Sequence, residues 1–300
     1  MKILIGTNYL GPIAGSELVA FEFATHFRER GHEVHLFANI SGSPMADLCR
    51  ERLGVEVITA PEAIDPLSYD LLYLQHHVAG VFTFRRTAHM REKTAVVFGR
   101  LGRRTFMESG GWRHDRILAD HVFANSELTA EKLKAVGTEA PVTVFYNAAP
   151  DAFFRDRPSA GGRLKTISVV TSHPDPDLFQ ALDILSGTYD IRRIGQGLPG
   201  YQLVTPQTIH DSDLVISIGK TVPYALAART PVYVYDHFGG PGYLRPETFA
   251  NARRYNFSGR CCERRLPPDA LAAEIVGDYP KGVAFAHDLV DAEIDRFRLQ

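Results

Sequence analysis

The chain has few cysteines, one tryptophan, almost no net charge and no long apolar run. Three of its 300 residues are cysteines (Cys49, Cys261, Cys262) and one is tryptophan. Three cysteines, two of them adjacent, give neither a disulfide framework nor the paired spacing of a zinc site. A reducing cytoplasm is the expected compartment. The formal net charge of -2 excludes a global basic field that would draw the chain to nucleic acid. No run of about 18 apolar residues occurs, so no transmembrane helix is expected, while peripheral contact with a membrane surface stays open. The opening MKILIGTNYLGPIAG lacks the apolar core of a secretory signal and reads as a first strand. Familiar site signatures are also missing. The early glycines, Gly6, Gly11 and Gly15, do not make GxGxxG, and Leu214 stands where a Walker A loop ending at Lys220 needs glycine. No GxSxG hydrolase signature appears.

What is present is a soluble globular composition, 45% apolar and 23% charged, with length for two ordinary domains. Apolar runs at 2–7, 33–38, 55–59, 71–75, 94–98, 121–125 and 142–146 predict strands. Helical spacing of Val19, Phe23 and Phe27 predicts a helix over 16–30, ended by Gly31. Further helices are expected near 45–53 and over 127–136, the latter capped by Ser126. Strands alternating with helices imply an α/β fold with doubly wound parallel sheets. The Gly, Pro and charge-rich stretch 156–164 reads as a linker. A second alternation follows: strand 166–171, helix 176–185, strand 190–194, strand 214–218, helix 222–228, strand 231–235, helix 268–276 and a helical tail over 287–297. The expected domains are 1–160 and 161–284, with 285–300 as a terminal helix.

Ligands in such sheets sit outside the carboxyl ends of the strands, and several polar groups fall there. Gly11–Glu17 joins the first strand to the first helix. Gly15 and Ser16 allow a ligand close to the helix N-terminus. The alternative is a plain turn with Ser16 as N-cap. Glu17 would repel phosphate and suits a hydroxyl-bearing acceptor better. Gly219, Lys220 and Thr221 form a turn that leads into a helix. A lysine there opposes the helix dipole unless an anion is bound, so it is either a donor-phosphate contact or a surface lysine. Asp236, His237, Gly239 and Gly240 lie in DHFGGPG, read either as a ligand loop or as a Gly-Pro turn with a capping Asp. His76 and His77 follow a strand and face the expected site, or are structural. Arg100, in FGRLGRR with Arg103 and Arg104, meets a pyrophosphate or an acidic acceptor, or belongs to a solvated loop. Ser172 and His173 open the second domain's first helix. Asp175 and Asp177 beside them read as capping residues rather than a metal pair. Arg260 either binds phosphate or anchors its loop.

Fragments in order and spacing resemble glycosyltransferase family four, a group of retaining GT-B enzymes. They are MKILIGTNYLGPIAGSE, RERGHEVHLF, HVFANSELTAEKLKAVG, VTVFYNAAPDAFF and ALAARTPVYVYD. The resemblance implies two Rossmann-like domains facing a cleft, with a UDP- or GDP-sugar held mainly by the second and the acceptor mainly by the first. It implies no bound metal or further cofactor, and a last helix that crosses back to the first domain. The acceptor is expected to be a saccharide, a lipid-linked sugar or a small molecule. The family's Glu-x7-Glu element is not retained. Aligned on Ala225 and Pro231, its positions hold Ile216 and Tyr224, so Tyr224 stands at the ribose contact and Gly219–Thr221 is the expected substitute. A sugar-nucleotide epimerase of the same architecture and a non-catalytic partner subunit are the alternatives.

Overall fold

A computed structural model of the chain describes residues 1–85, 93–102, 105–155 and 162–299, with the backbone alone at 105–107 and 109–112. It divides into two compact units, Met1–Phe145 and Tyr146–Gln300. The division precedes the stretch read as a linker, of which 156–161 fall outside the described residues. Arg103 and Arg104 fall outside them too.

In chain order the first unit holds β1 (Lys2–Leu10), α1 (Gly15–Glu29), β2 (Glu33–Ser41), α2 (Met45–Leu48), β3 (Val57–Ile58), β4 (Leu71–Gln75), β5 (Ala95–Arg100), α3 (Thr105–Leu118), β6 (His121–Ala124), α4 (Glu127–Ala135) and β7 (Val142–Val144). The strands are parallel in the order β3-β2-β1-β4-β5-β6-β7. Ile3, Leu4 and Ile5 are all fully buried. Both faces of β1 are therefore covered, and this is why the strand reads as an unbroken apolar run. Phe23 of α1 packs on Tyr73 at 4.7 Å and on Phe145 at 5.7 Å. Gly31 follows α1 with φ of 78°, the left-handed residue that ends a helix cheaply. Ser126 caps α4, accepting from Thr129 N–H at 3.3 Å.

The second unit holds β8 (Thr166–Val170), α5 (Pro176–Leu185), β9 (Asp190–Ile194), α6 (Pro206–His210), β10 (Leu214–Ser217), α7 (Thr221–Ala227), β11 (Val232–Asp236), β12 (Gly239–Tyr243), α8 (Pro246–Arg254), α9 (Pro268–Gly277), α10 (Tyr279–Asp288) and α11 (Asp291–Asp295). Its sheet runs β12-β11-β10-β8-β9. All pairs are parallel except β11–β12, which is antiparallel. This corrects one expectation: most of DHFGGPG is an edge strand of a hairpin, not a ligand loop. The glycines permit it. Added Cβ atoms at Gly239 and Gly240 would lie 2.1 Å from Arg264 O and 2.0 Å from Val234 O. The tail also differs, with α10 and α11 separated at Leu289–Val290. The tail is bonded to its own unit, where Ala149 N–H donates to Phe297 O at 2.6 Å and Leu299 N–H to Ala149 O at 3.1 Å.

Candidate functional site

In each sheet the strand order reverses once, between β1 and β4 in the first unit and between β8 and β10 in the second. Loops at the carboxyl ends of such neighbouring strands diverge to opposite faces and leave a crevice for a ligand.

At the β1–β4 reversal the first unit gathers a buried charged network. Glu17 in the first turn of α1 is 4% exposed and accepts from Ser16 Oγ at 2.8 Å. Burial raises its pKa above the usual carboxylate range. Its own amide, Ser16 and the neighbouring His76 pull the other way. The N-cap of α1 is Ala14, without a side-chain cap. The reading of Ser16 as N-cap is therefore corrected, because its hydroxyl turns to Glu17 instead. Gly15 is exposed, with open space where a Cβ would stand. His76 follows β4 with φ of 53°, a left-handed backbone that costs a non-glycine residue of order 1–3 kcal/mol and recurs at functional sites. Its Nδ1 lies 3.0 Å from Glu108 Oε1. His77 caps the 3-10 turn Val78–Val81 and is half-buried.

Arg100 does not serve a pyrophosphate. It is 0% exposed and its guanidinium is committed within the unit. Nε donates to Asp115 Oδ2 at 2.9 Å, Nη2 donates to Asp115 Oδ1, and Nη1 donates to the His76 carbonyl. Glu108 Oε2 lies 3.5 Å from Nη1. Burial raises the Asp115 pKa despite the arginine beside it. Glu108 and Asp115 escaped the sequence reading. Their seven-residue spacing puts both on one face of α3, but Gly110–Gly111 hides that helix.

In the second unit the β8–β10 reversal keeps some of the expected residues open and removes others. His173, after β8, and His237, after β11, are both exposed, with ring centroids 6.5 Å apart. Phe238 lies against His237 at 4.0 Å, and the Arg260 guanidinium stacks on Phe238 at 4.1 Å. Ser172 is half-buried beside His173. Gly219, at the end of β10, has φ of 58° and is half-buried.

Lys220 is corrected from an anion contact to an anchor. It is 7% exposed, donates to the Ala148 carbonyl and lies 4.9 Å over the Tyr224 ring. The dipole conflict at the head of α7 is met by a protein acceptor, the Ala148 carbonyl. Thr221 is buried beside it. Tyr224 is a core residue, stacked on Phe153 at 4.1 Å with planes 10° apart, and Ile216 is buried in β10. Asp236 is a clamp: Oδ1 accepts from Phe238 N–H at 2.7 Å, and Oδ2 from Ser258 Oγ and Gly259 N–H at 3.1 Å each. Gly239 and Gly240 serve the hairpin. Asp175 caps α5 through Leu178 N–H at 3.0 Å, and Arg265 lies 3.2 Å from it and 2.9 Å from Asp177.

Two Rossmann-like units in tandem in one chain define the GT-B class of fold. Residues 13–153 match the model of Glycosyltransferase Family 4, in line with the resemblance noted in the sequence. Solved structures share the fold over nearly the whole chain. A glycosyltransferase from Rickettsia africae is 12% identical, with 99% of this chain and 94% of that chain covered and a TM-score of 0.53. An alpha-glucosyltransferase in complex with UDP is 11% identical, with 99% and 96% covered and a TM-score of 0.54. A UDP-GlcNAc 2-epimerase from Neisseria meningitidis, bound to UDP-GlcNAc, is 14% identical, with 98% and 99% covered and a TM-score of 0.51. No curated protein matches the sequence. Among the described residues no helix is long and apolar enough to cross a membrane, and no cluster of three or more His, Cys, Asp or Glu is placed to hold a metal.

Proposed function

We propose that the chain is a cytoplasmic glycosyltransferase that moves a hexosyl group from a UDP- or GDP-sugar to the hydroxyl of a saccharide, lipid-linked or small-molecule acceptor. The observation that carries this reading is the family-four domain over residues 13–153, whose β1–β4 reversal holds Glu17 and His76. In this reading the second unit binds the donor and the first the acceptor. Glycosyl transfer develops positive charge at the anomeric carbon and negative charge on the departing diphosphate, which positioned donors stabilise. Ser172, His173, His237, Arg260 and the backbone at Gly219 are the groups of the second unit offered to the donor. Gly15, Ser16, Glu17, His76 and His77 are those offered to the acceptor.

The transfer proceeds with retention, the acceptor attacking from the leaving-group face and the diphosphate taking its proton. It needs no resident metal. In support, the Asp-x-Asp lookalike of the second unit is already paired with Arg265.

The test is a thermal-shift panel of UDP, GDP, TDP and their sugars, followed by product analysis with and without acceptors. A ligand at 100 times its Kd stabilises by roughly 2.7 kcal/mol. Acceptor-dependent release of nucleoside diphosphate supports the proposal. A second sugar nucleotide formed without acceptor supports an epimerase, a reading favoured by the fold shared with epimerases such as the Neisseria enzyme. No shift with any nucleotide refutes both and leaves a non-catalytic partner subunit.

A further inference from the structure

The contacts around His76 close on themselves. Its N–H donates to Gly99 O at 3.3 Å and its carbonyl accepts from Arg100. The same guanidinium is fixed by Asp115 and lies beside Glu108. Glu108 Oε1 sits 3.0 Å from His76 Nδ1. Arg100 thus holds the main chain of His76, and Glu108 meets its ring. All four residues are buried, and this order is far more than a merely filled interior requires.

A carboxylate only accepts hydrogen bonds. A neutral imidazole facing one therefore carries its proton on the facing nitrogen and leaves a lone pair on the other. We infer that Glu108 is a positioning residue that locks His76 as the Nδ1–H tautomer, so that Nε2 accepts a hydrogen bond from a ligand hydroxyl at the β1–β4 reversal. The identity of that hydroxyl, on the sugar or the acceptor, rests on the glycosyl-transfer reading; the tautomer does not. His76 then receives a proton-bearing group and does not donate to one. A sugar hydroxyl fits that requirement and a phosphate oxygen does not.

The experiment is long-range 1H–15N correlation on the ligand-free, 15N-labelled full chain, with the His76 signals assigned by their loss in His76→Gln. The expected wild-type pattern is a single Nδ1–H tautomer. In Glu108→Gln the amide either accepts or donates, and a charge-assisted bond is exchanged for a neutral one. The tautomer ratio then falls about tenfold, while Glu108→Asp, which keeps the carboxylate, retains the Nδ1–H form. An Nε2–H tautomer or a doubly protonated ring in the wild type, or a ratio unchanged by Glu108→Gln, overturns the inference. The wild-type spectrum alone decides the matter should the variants fail to fold. Because no ligand is present, either failure is separate from failure of the nucleotide panel.

Discussion

Replacing Arg100 with methionine removes a fully buried cation from beside two buried acids. Methionine keeps much of the length and the apolar stem, so the change is chiefly one of charge. Asp115, its side chain 0% exposed, loses its partner, Glu108 loses a neighbouring charge, and the His76 carbonyl loses a donor. Breaking a buried ion pair from one side costs about 3–5 kcal/mol, because a charge is left uncompensated away from water. Set against a typical total of about 5–15 kcal/mol, that is a large share of a domain's stability. With a urea m-value of about 2–3 kcal/mol/M, the midpoint falls by about 1–2 M. The transition is followed by circular dichroism. Arg100→Met combined with Asp115→Leu removes both charges of the strongest pair, and it is expected to recover part of the loss, since apolar replacement of a whole buried pair is often neutral or better. A single-variant drop below about 0.3 M, or a double variant less stable than the single, refutes the account.

Glu17→Gln tests the linkage at the other side of the same crevice. The folded pKa of Glu17 is raised, so its contribution to stability is fully present below its unfolded pKa and is lost as pH rises through the folded one. Glu17→Gln is therefore expected to match wild type near pH 4 and to be the more stable near pH 8; a difference that does not vary with pH contradicts this. Gly240→Ala brings a methyl 2.0 Å from Val234 O and is expected to cost about 1–3 kcal/mol, measured as a lowered urea midpoint by circular dichroism, while an unchanged midpoint rejects the close approach. Lys220→Met leaves the Ala148 carbonyl without its donor, at a cost of about 1–3 kcal/mol. Donor affinity, measured by calorimetry, is expected to change less than about threefold, and a loss above tenfold in an otherwise stable variant restores lysine to the anion site.

Much of the sheet was legible because its strands are buried on both faces. Segments such as KILIGT, LLYLQ and DLVIS announce themselves as short apolar runs between turn residues. Ser126 and Gly31 mark helix ends through local chemistry, a cap and a left-handed residue, which needs no tertiary partner. α3 and α8 were not legible. The first contains Gly110–Gly111, and PETFANARR offers only Phe249 and the two alanines as apolar positions. In the candidate site, the placement of His76, His173 and His237 just after strands was legible, because position alone decides it. The sequence misled where a charged side chain has a distant partner. Arg100 and Lys220 look like free cations in the sequence. Asp115 and the Ala148 carbonyl, which claim them, lie 15 and 72 residues away. DHFGGPG misled for a related reason: glycine admits a ligand backbone and a neighbouring strand equally well, and only the 259–265 segment, which crosses against it, decides between them.

That crossing has a bearing on solubility. β12 is the last strand of its sheet, and an open, flexible, glycine-rich margin invites pairing with the same margin of another molecule. Here the outer rim is already occupied. Gly240 N–H donates to Arg264 O at 3.0 Å, and Arg264 Nε donates back to Gly240 O at 3.2 Å, with its guanidinium held by Glu274 at 2.7 and 2.8 Å. Arg264 thus covers this margin twice, with its main-chain carbonyl and with its guanidinium, and Arg264→Ala keeps the first and removes the second.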